Sequence, residues 1–164
     1  MKKTLRPKQL VLGALIAAAY VALSFVSQSL SLAFGAVQIR LSEILTVLPL
    51  YTPVSIWGLT VGCIISNLSS PLGPVDVICG SAATLSAAVL TYLCRNVKPR
   101  VIPLCFPVLI NAVVVGAELA ALLGEIGFFP NALSVALGQS VAVFLLSYPL
   151  RRYLDKNNIF KRLV

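Results

Sequence analysis

The chain has 164 residues, 59% of them apolar and 11% charged, with a mean hydropathy of +0.96 and a formal net charge of +8. A typical soluble domain is about 25% charged, and apolar residues at this density exceed what a 17.4 kDa globule can hide in its core. These figures exclude a soluble domain, a disordered chain, a disulfide-stapled miniprotein and a free DNA-binding domain, and they leave a lipid bilayer as the natural solvent.

Cutting the apolar runs at proline, glycine and charge predicts helices at about 10–28, 41–51, 53–68, 77–95, 101–123 and 131–150. The first follows Lys2, Lys3, Arg6 and Lys8 and is longer than the ~7–15-residue apolar core of a cleaved signal, so it is expected to be retained as a span. Ala14, Ala18 and Ala22 repeat every fourth position along it, a stripe of small residues that lets another helix approach closely in lipid. Residues 29–40 form the longest connection and a candidate lid, with Phe34 near its centre. The run 41–51 is the weak one: at 1.5 Å per residue it covers about 16 Å, half of a ~30 Å hydrocarbon core, which fits a short tilted span or a re-entrant dip. The third run carries a second small-residue stripe, Gly58, Gly62 and Ser66, and ends on Asn67. Asp76 opens the fourth, Asn111 and Glu118 lie in the fifth, and Gln139 lies in the sixth.

The cations set the topology. They cluster in short blocks beside the apolar runs: residues 1–8, Arg95, Lys98 and Arg100, and Arg151, Arg152, Lys156, Lys161 and Arg162. With six spans and the N-terminus inside, all three blocks face the cytoplasm and Arg40 is the only one of 13 cations outside. Five spans would put the last two blocks on the wrong side. The expectation is therefore a single all-α membrane domain over residues 1–164, with six transmembrane helices and both termini cytoplasmic. Trp57, Tyr51, Tyr92, Tyr148 and Tyr153 then fall near the inner interface, and Glu43, Asp76, Glu118 and Glu125 in the outer half.

A charged side chain at the centre of a membrane helix costs about 2.5–3.5 kcal/mol on insertion scales, so each one asks for a reason. Arg40 and Glu43, three residues apart, are expected to share a helix face, either as a neutralising structural pair or as part of a site. Asp76 is either a carboxylate favoured by a helix N-terminus or a ligand group. Glu118 has no cation within helical reach. Asn111 and Gln139 either tie helices together by hydrogen bonds or face a ligand. Gln38, Arg40, Glu43, Asn67, Asp76, Glu118 and Gln139 together form the candidate substrate-binding set: a polar pocket with excess negative charge, suited to a small cation or a molecule rich in N–H donors. Phe34, Phe128 and Phe129 could stack on a planar ring or simply pack at the interface.

Other chemistry is missing from the sequence. There is no histidine, the four cysteines (Cys63, Cys79, Cys94, Cys105) lack ligand spacing and read as small buried hydrophobes, and no phosphate-binding Gly-x-x-x-x-Gly-Lys-Ser/Thr loop occurs. Neither an enzyme nor a metal site nor a cofactor is expected, and the placement of the basic residues argues against nucleic acid.

Three stretches are similar to the QueT family of membrane proteins: Phe34-Gly35-Ala-Val-Gln38-Ile-Arg40-Leu-Ser42-Glu43, Gly62-Cys-Ile-Ile-Ser-Asn67-Leu, and Leu72-Gly73-Pro-Val-Asp76-Val-Ile-Cys-Gly80-Ser. The resemblance runs from about residue 10 to 153. It implies a six-helix substrate-binding S component of an energy-coupling-factor (ECF) transporter, in a bacterial plasma membrane, capturing a queuosine precursor such as aminomethyl- or cyano-deazaguanine. It also implies partners, namely one T-type membrane subunit and two ATPases, with Ala14 and Ala18 as the docking motif for the T subunit. Glu43 with Glu118 or Asp76 would accept the ring N–H groups and pair the aminomethyl cation, and Gln38 and Asn67 would serve the remaining edges. The chain departs from the family pattern in the sixth helix, where Gln139 stands after Gly138 in place of Glu. That change points to a neutral nucleobase or a different precursor. Two other readings remain: a homo-oligomeric proton-coupled secondary transporter using Glu118 or Glu43, and a membrane assembly protein whose polar residues are structural.

Overall fold

The computed structural model describes residues 6–31, 38–99, 101–124 and 127–157. Phe34 and most of the lid-like loop, Glu125, and the cations Lys2, Lys3, Arg100, Lys161 and Arg162 lie outside them. Every regular element among the described residues is helical: α1 (Pro7–Ser29), a 3-10 segment (Leu41–Leu50), α2 (Val54–Asn67), α3 (Pro74–Leu93), α4 (Cys105–Leu123) with a short 3-10 turn (Ile102–Leu104) before it, α5 (Phe128–Ser140) and α6 (Ser147–Asn157). A π-helical stretch, Val141–Leu146, joins α5 to α6 in one continuous rod.

Among the described residues, four helices are long and apolar enough to cross a membrane: Pro7–Ser29, Pro74–Leu93, Ile102–Leu122 and Phe128–Asn157. The segments Leu41–Leu50 and Val54–Asn67 are apolar but shorter. The first of these differs from the expected α-helix. Glu43 N–H bonds the Arg40 carbonyl three residues back, and Pro49 has no N–H to offer. At about 2.0 Å rise its ten residues reach roughly 20 Å, against about 15 Å for an α-helix of that length. The tighter winding thus gives a short sequence more reach. The fourteen residues of α2 cover about 21 Å.

The boundaries shift for local reasons. Helix α3 begins at Pro74, ahead of the expected residue 77, because proline suits the first helical turn and Gly73, at φ +69°, supplies the bend before it. The last rod runs from Phe128 to Asn157, past the expected 131–150, because the charged turn holding Arg151, Arg152 and Lys156 continues the helix rather than ending it. Of the four cysteines, all free, only Cys63 is buried; the other three are partly exposed.

Helices α1 to α5 pack each against the next, and the 3-10 segment threads among them, touching α1, α2, α3, the π stretch and α6. Close packing in lipid requires small residues, and α1 meets α2 through them. A methyl on Gly62 would lie 2.9 Å from the Ala17 carbonyl and 2.7 Å from Tyr20 Cβ, and one on Gly13 would overlap the Trp57 ring. The Gly58/Gly62/Ser66 stripe is therefore used internally. The stripe on α1 is not: Ala14, Ala18 and Ala22 are exposed, flanked by exposed Val11, Leu15 and Phe25. At the far end of the 3-10 segment, the Tyr51 hydroxyl donates to Asp155 Oδ1 at 2.9 Å, tying that end to α6. Ser147 Oγ lies 2.9 Å from the Ala142 carbonyl and 3.0 Å from the Ile44 carbonyl, fastening the rod to the middle of the same segment.

Candidate functional site

Glu43, in the first turn of the 3-10 segment, is buried. The Tyr20 hydroxyl of α1 donates to its Oε1 at 2.8 Å, and Gln139 Nε2 of α5 donates to its Oε2 at 2.7 Å. Two helices far apart in sequence thereby clasp one carboxylate. Helix α1 also holds the segment at its entry, where the Leu41 N–H donates to Ser27 Oγ at 2.7 Å.

The expected Arg40–Glu43 helix pair does not form. Arg40 precedes the first turn in extended backbone (φ −101°, ψ 111°), so the three-residue spacing does not align the two side chains as it would on a helix. Its guanidinium instead lies 3.7 Å from the Asp76 carboxylate. Asp76 occupies the first turn of α3, where the unpaired N–H groups of the helix favour a negative charge. Asn67 Nδ2 donates to the Asp76 carbonyl at 2.9 Å and lies 3.4 Å from its Oδ1. Glycine is needed beside them, since a methyl on Gly80 would come within 2.6 Å of Asn67 Nδ2 and 2.9 Å of Asp76 Oδ1.

Two clefts open on this cluster, of about 320 Å³ and 280 Å³ including their mouths. Ser24, Gln28, Arg40, Ser66, Asn67, Ser70 and Asp76 line the first. Gln38, Arg40, Glu43, Asn111, Val115, Val135 and Gln139 line the second. Arg40 is common to both. The backbone of Gln38 lies directly against Gly138, where any Cβ would overlap its carbonyl.

Glu118 stands apart in its bonding. It shares the inward face of α4 with Asn111 and Val115, at i, i+4 and i+7 spacing, and is 5% exposed. Among the described residues, neither of its carboxylate oxygens has a hydrogen-bond partner.

Six of the seven sequence-predicted residues thus line the clefts, and Glu118 faces the same interior. Phe128 and Phe129 stack edge-on, with centroids 5.4 Å apart, and line neither cleft; Phe129 is 82% exposed. Sequence reasoning missed the contribution of α1. Tyr20, Ser24 and Ser27 recur at helical spacing on the face away from the Ala14/Ala18/Ala22 stripe, and that periodicity was the available signal.

Comparison with known proteins identifies the family. Residues 10–156 match the model of the QueT transporter family. Over 85 residues the chain is 36% identical to a protein named Queuosine precursor transporter QueT from Lactococcus lactis subsp. cremoris (strain MG1363). The matched region is 52% of this chain and spans about half the length of that relative (49%). No solved structure matches the chain. The family is one of transporters and not of enzymes, which accords with the apolar helices able to span a bilayer and makes this a multi-pass membrane protein. With the match running almost from end to end, the chain belongs to the QueT transporter family.

Proposed function

We propose that the chain is the substrate-binding S component of an ECF transporter, and that it takes up a queuosine precursor of the deazaguanine type. Its ligand enters the outer half of a bundle that crosses the membrane six times, with both termini in the cytoplasm and the Arg40–Asp76 end outside. The distribution of cations supports this topology, as does the extra reach of the 3-10 segment. The observation that carries the functional reading is the division of labour on α1. One face presents the exposed Ala14/Ala18/Ala22 stripe, and the opposite face presents Ser24 and Gln28 to the first cleft and Tyr20 to Glu43.

A deazaguanine is planar and rich in N–H donors, and acceptors are what this interior offers: Asp76, Glu118, Gln38 and Asn67 beside Arg40. The chain does no chemistry. Binding outside, docking of the stripe on a T-type subunit and rocking of the whole bundle would deliver the ligand inward, with two ATPases supplying the energy.

The test is uptake by proteoliposomes. Ala14→Trp and Ala18→Trp, both on the exposed face, are expected to leave ligand binding by the purified protein unchanged and to abolish ATP-dependent uptake when the T subunit and ATPases are present. Uptake driven by a proton gradient without those partners would replace this reading with that of a secondary transporter.

A further inference from the structure

A carboxylate buried in a membrane bundle is tolerated when donors surround it and costly when they do not. The described carboxylates inside the bundle differ sharply on this point. Both oxygens of Glu43 accept hydrogen bonds, from Tyr20 and Gln139. Asp76 has the Arg40 guanidinium and the Asn67 amide. Glu118, also buried, has no donor on either oxygen among the described residues. The other buried and unpartnered polar atoms, Ser42 Oγ, Ser81 Oγ and Trp57 Nε1, are neutral and so far cheaper to leave unpaired.

Charge points the same way. Among the described residues, the cleft linings and the buried face of α4 bring together three carboxylates, Glu43, Asp76 and Glu118, with one guanidinium, that of Arg40, which leaves a formal charge of −2 when all are ionised. Arg40 is drawn to Asp76, and Gln139 satisfies Glu43 without supplying any positive charge. The group that completes this interior is therefore a cation with hydrogens to donate, and the carboxylate open to it is Glu118.

We infer that Glu118 is the specificity-determining carboxylate of the site, receiving a protonated amine of the bound ligand. This rests on the reading above that the chain binds a deazaguanine-type precursor, and adds to it a choice between precursors. A ligand with an aminomethyl substituent is bound in preference to one with a cyano group on the same ring. The preference does not depend on an acid at position 139, because the amide there serves to hold Glu43.

The experiment uses the full-length protein in detergent, wild type and Glu118→Gln, with aminomethyl-deazaguanine and cyano-deazaguanine titrated in parallel. Wild type is expected to bind the amine about 10- to 100-fold more tightly, the range of a charge-assisted hydrogen bond. Glu118→Gln should remove that preference by weakening the amine ligand alone, with the nitrile changed by less than about 3-fold. Without ligand, the variant should melt no lower than wild type, because an unpartnered charge has been removed. Equal weakening of both ligands would mean that Glu118 reads the ring and would overturn the inference while leaving the substrate class standing. A fall in melting temperature of about 5 °C or more in ligand-free protein would overturn it as well, making Glu118 a structural group. If wild type binds neither compound, the inference and the substrate reading beneath it both fall.

Discussion

Gln139 Nε2 donates to Glu43 Oε2 at 2.7 Å, joining two buried side chains 96 residues apart in the chain. The bond lies two residues before the π stretch of the last rod and next to Gly138, against which the Gln38 backbone rests. It therefore fixes the 3-10 segment to α5 at the level of the second cleft and, with the Tyr20 hydroxyl, gives each Glu43 oxygen a donor.

Gln139→Leu keeps the bulk and removes the donor, orphaning one carboxylate oxygen. The expected cost is about 1–3 kcal/mol, the penalty for an unsatisfied buried acceptor. Thermal melting in detergent measures it. Tyr20→Phe should cost less than Gln139→Leu, about 0.6–1.7 kcal/mol, the range for hydrogen bonds between membrane helices. The double variant should fall short of the sum of the two single effects, because both act on the same carboxylate. Strict additivity would mean that the two bonds do not share a structural role.

Arg40→Met leaves Asp76, 1% exposed, without its cation. The remaining amide of Asn67 and the N-terminus of α3 compensate in part, so the expected loss is about 1–3 kcal/mol, below the 3–5 kcal/mol typical of breaking a fully buried ion pair. Arg40→Met combined with Asp76→Asn removes both charges and should recover most of that stability. Ligand binding should stay impaired in the double variant, since Arg40 lines both clefts. A melting series with a binding titration on each variant separates the two effects.

Gly138→Ala adds a single methyl where the Gln38 carbonyl already lies. Overpacking of this kind costs about 1–3 kcal/mol, and relief requires the chain entering the 3-10 segment to move away from α5. Weaker binding should accompany the lower melting temperature, because Gln38 and Gln139 line the same cleft. Gly124→Ala is the control: its left-handed φ of +65° ends α4, and nothing lies within 4 Å of an added methyl. That variant should lose about 1 kcal/mol through backbone strain and leave binding unchanged.

The sequence and the fold agree most closely where the evidence is a periodicity. The stripe at Ala14, Ala18 and Ala22 could be read at once, but that it stays uncovered in the described bundle is seen only in the structure. The identical spacing at Gly58, Gly62 and Ser66 has the opposite fate, being consumed against α1. Spacing reveals that a helix can be approached closely, but not which helix does so. The 3-10 winding of Leu41–Leu50 was illegible for a related reason. Ten apolar residues fit either helix type, and the choice follows from packing among five neighbouring elements together with Pro49.

The sequence alone determined the solvent of this protein, the approximate positions of its apolar segments and the residues that had to justify their polarity. Hydropathy and charge are sums over residues, and they survive without knowledge of neighbours. The tertiary structure alone decided who meets whom. It turned Arg40 from Glu43 to Asp76, brought Tyr20 and Gln139 to opposite oxygens of Glu43, and left both oxygens of Glu118 without a partner among the described residues. A hydrogen bond depends on distances of a few tenths of an ångström between groups up to 96 residues apart, and that geometry exists only once the helices have packed.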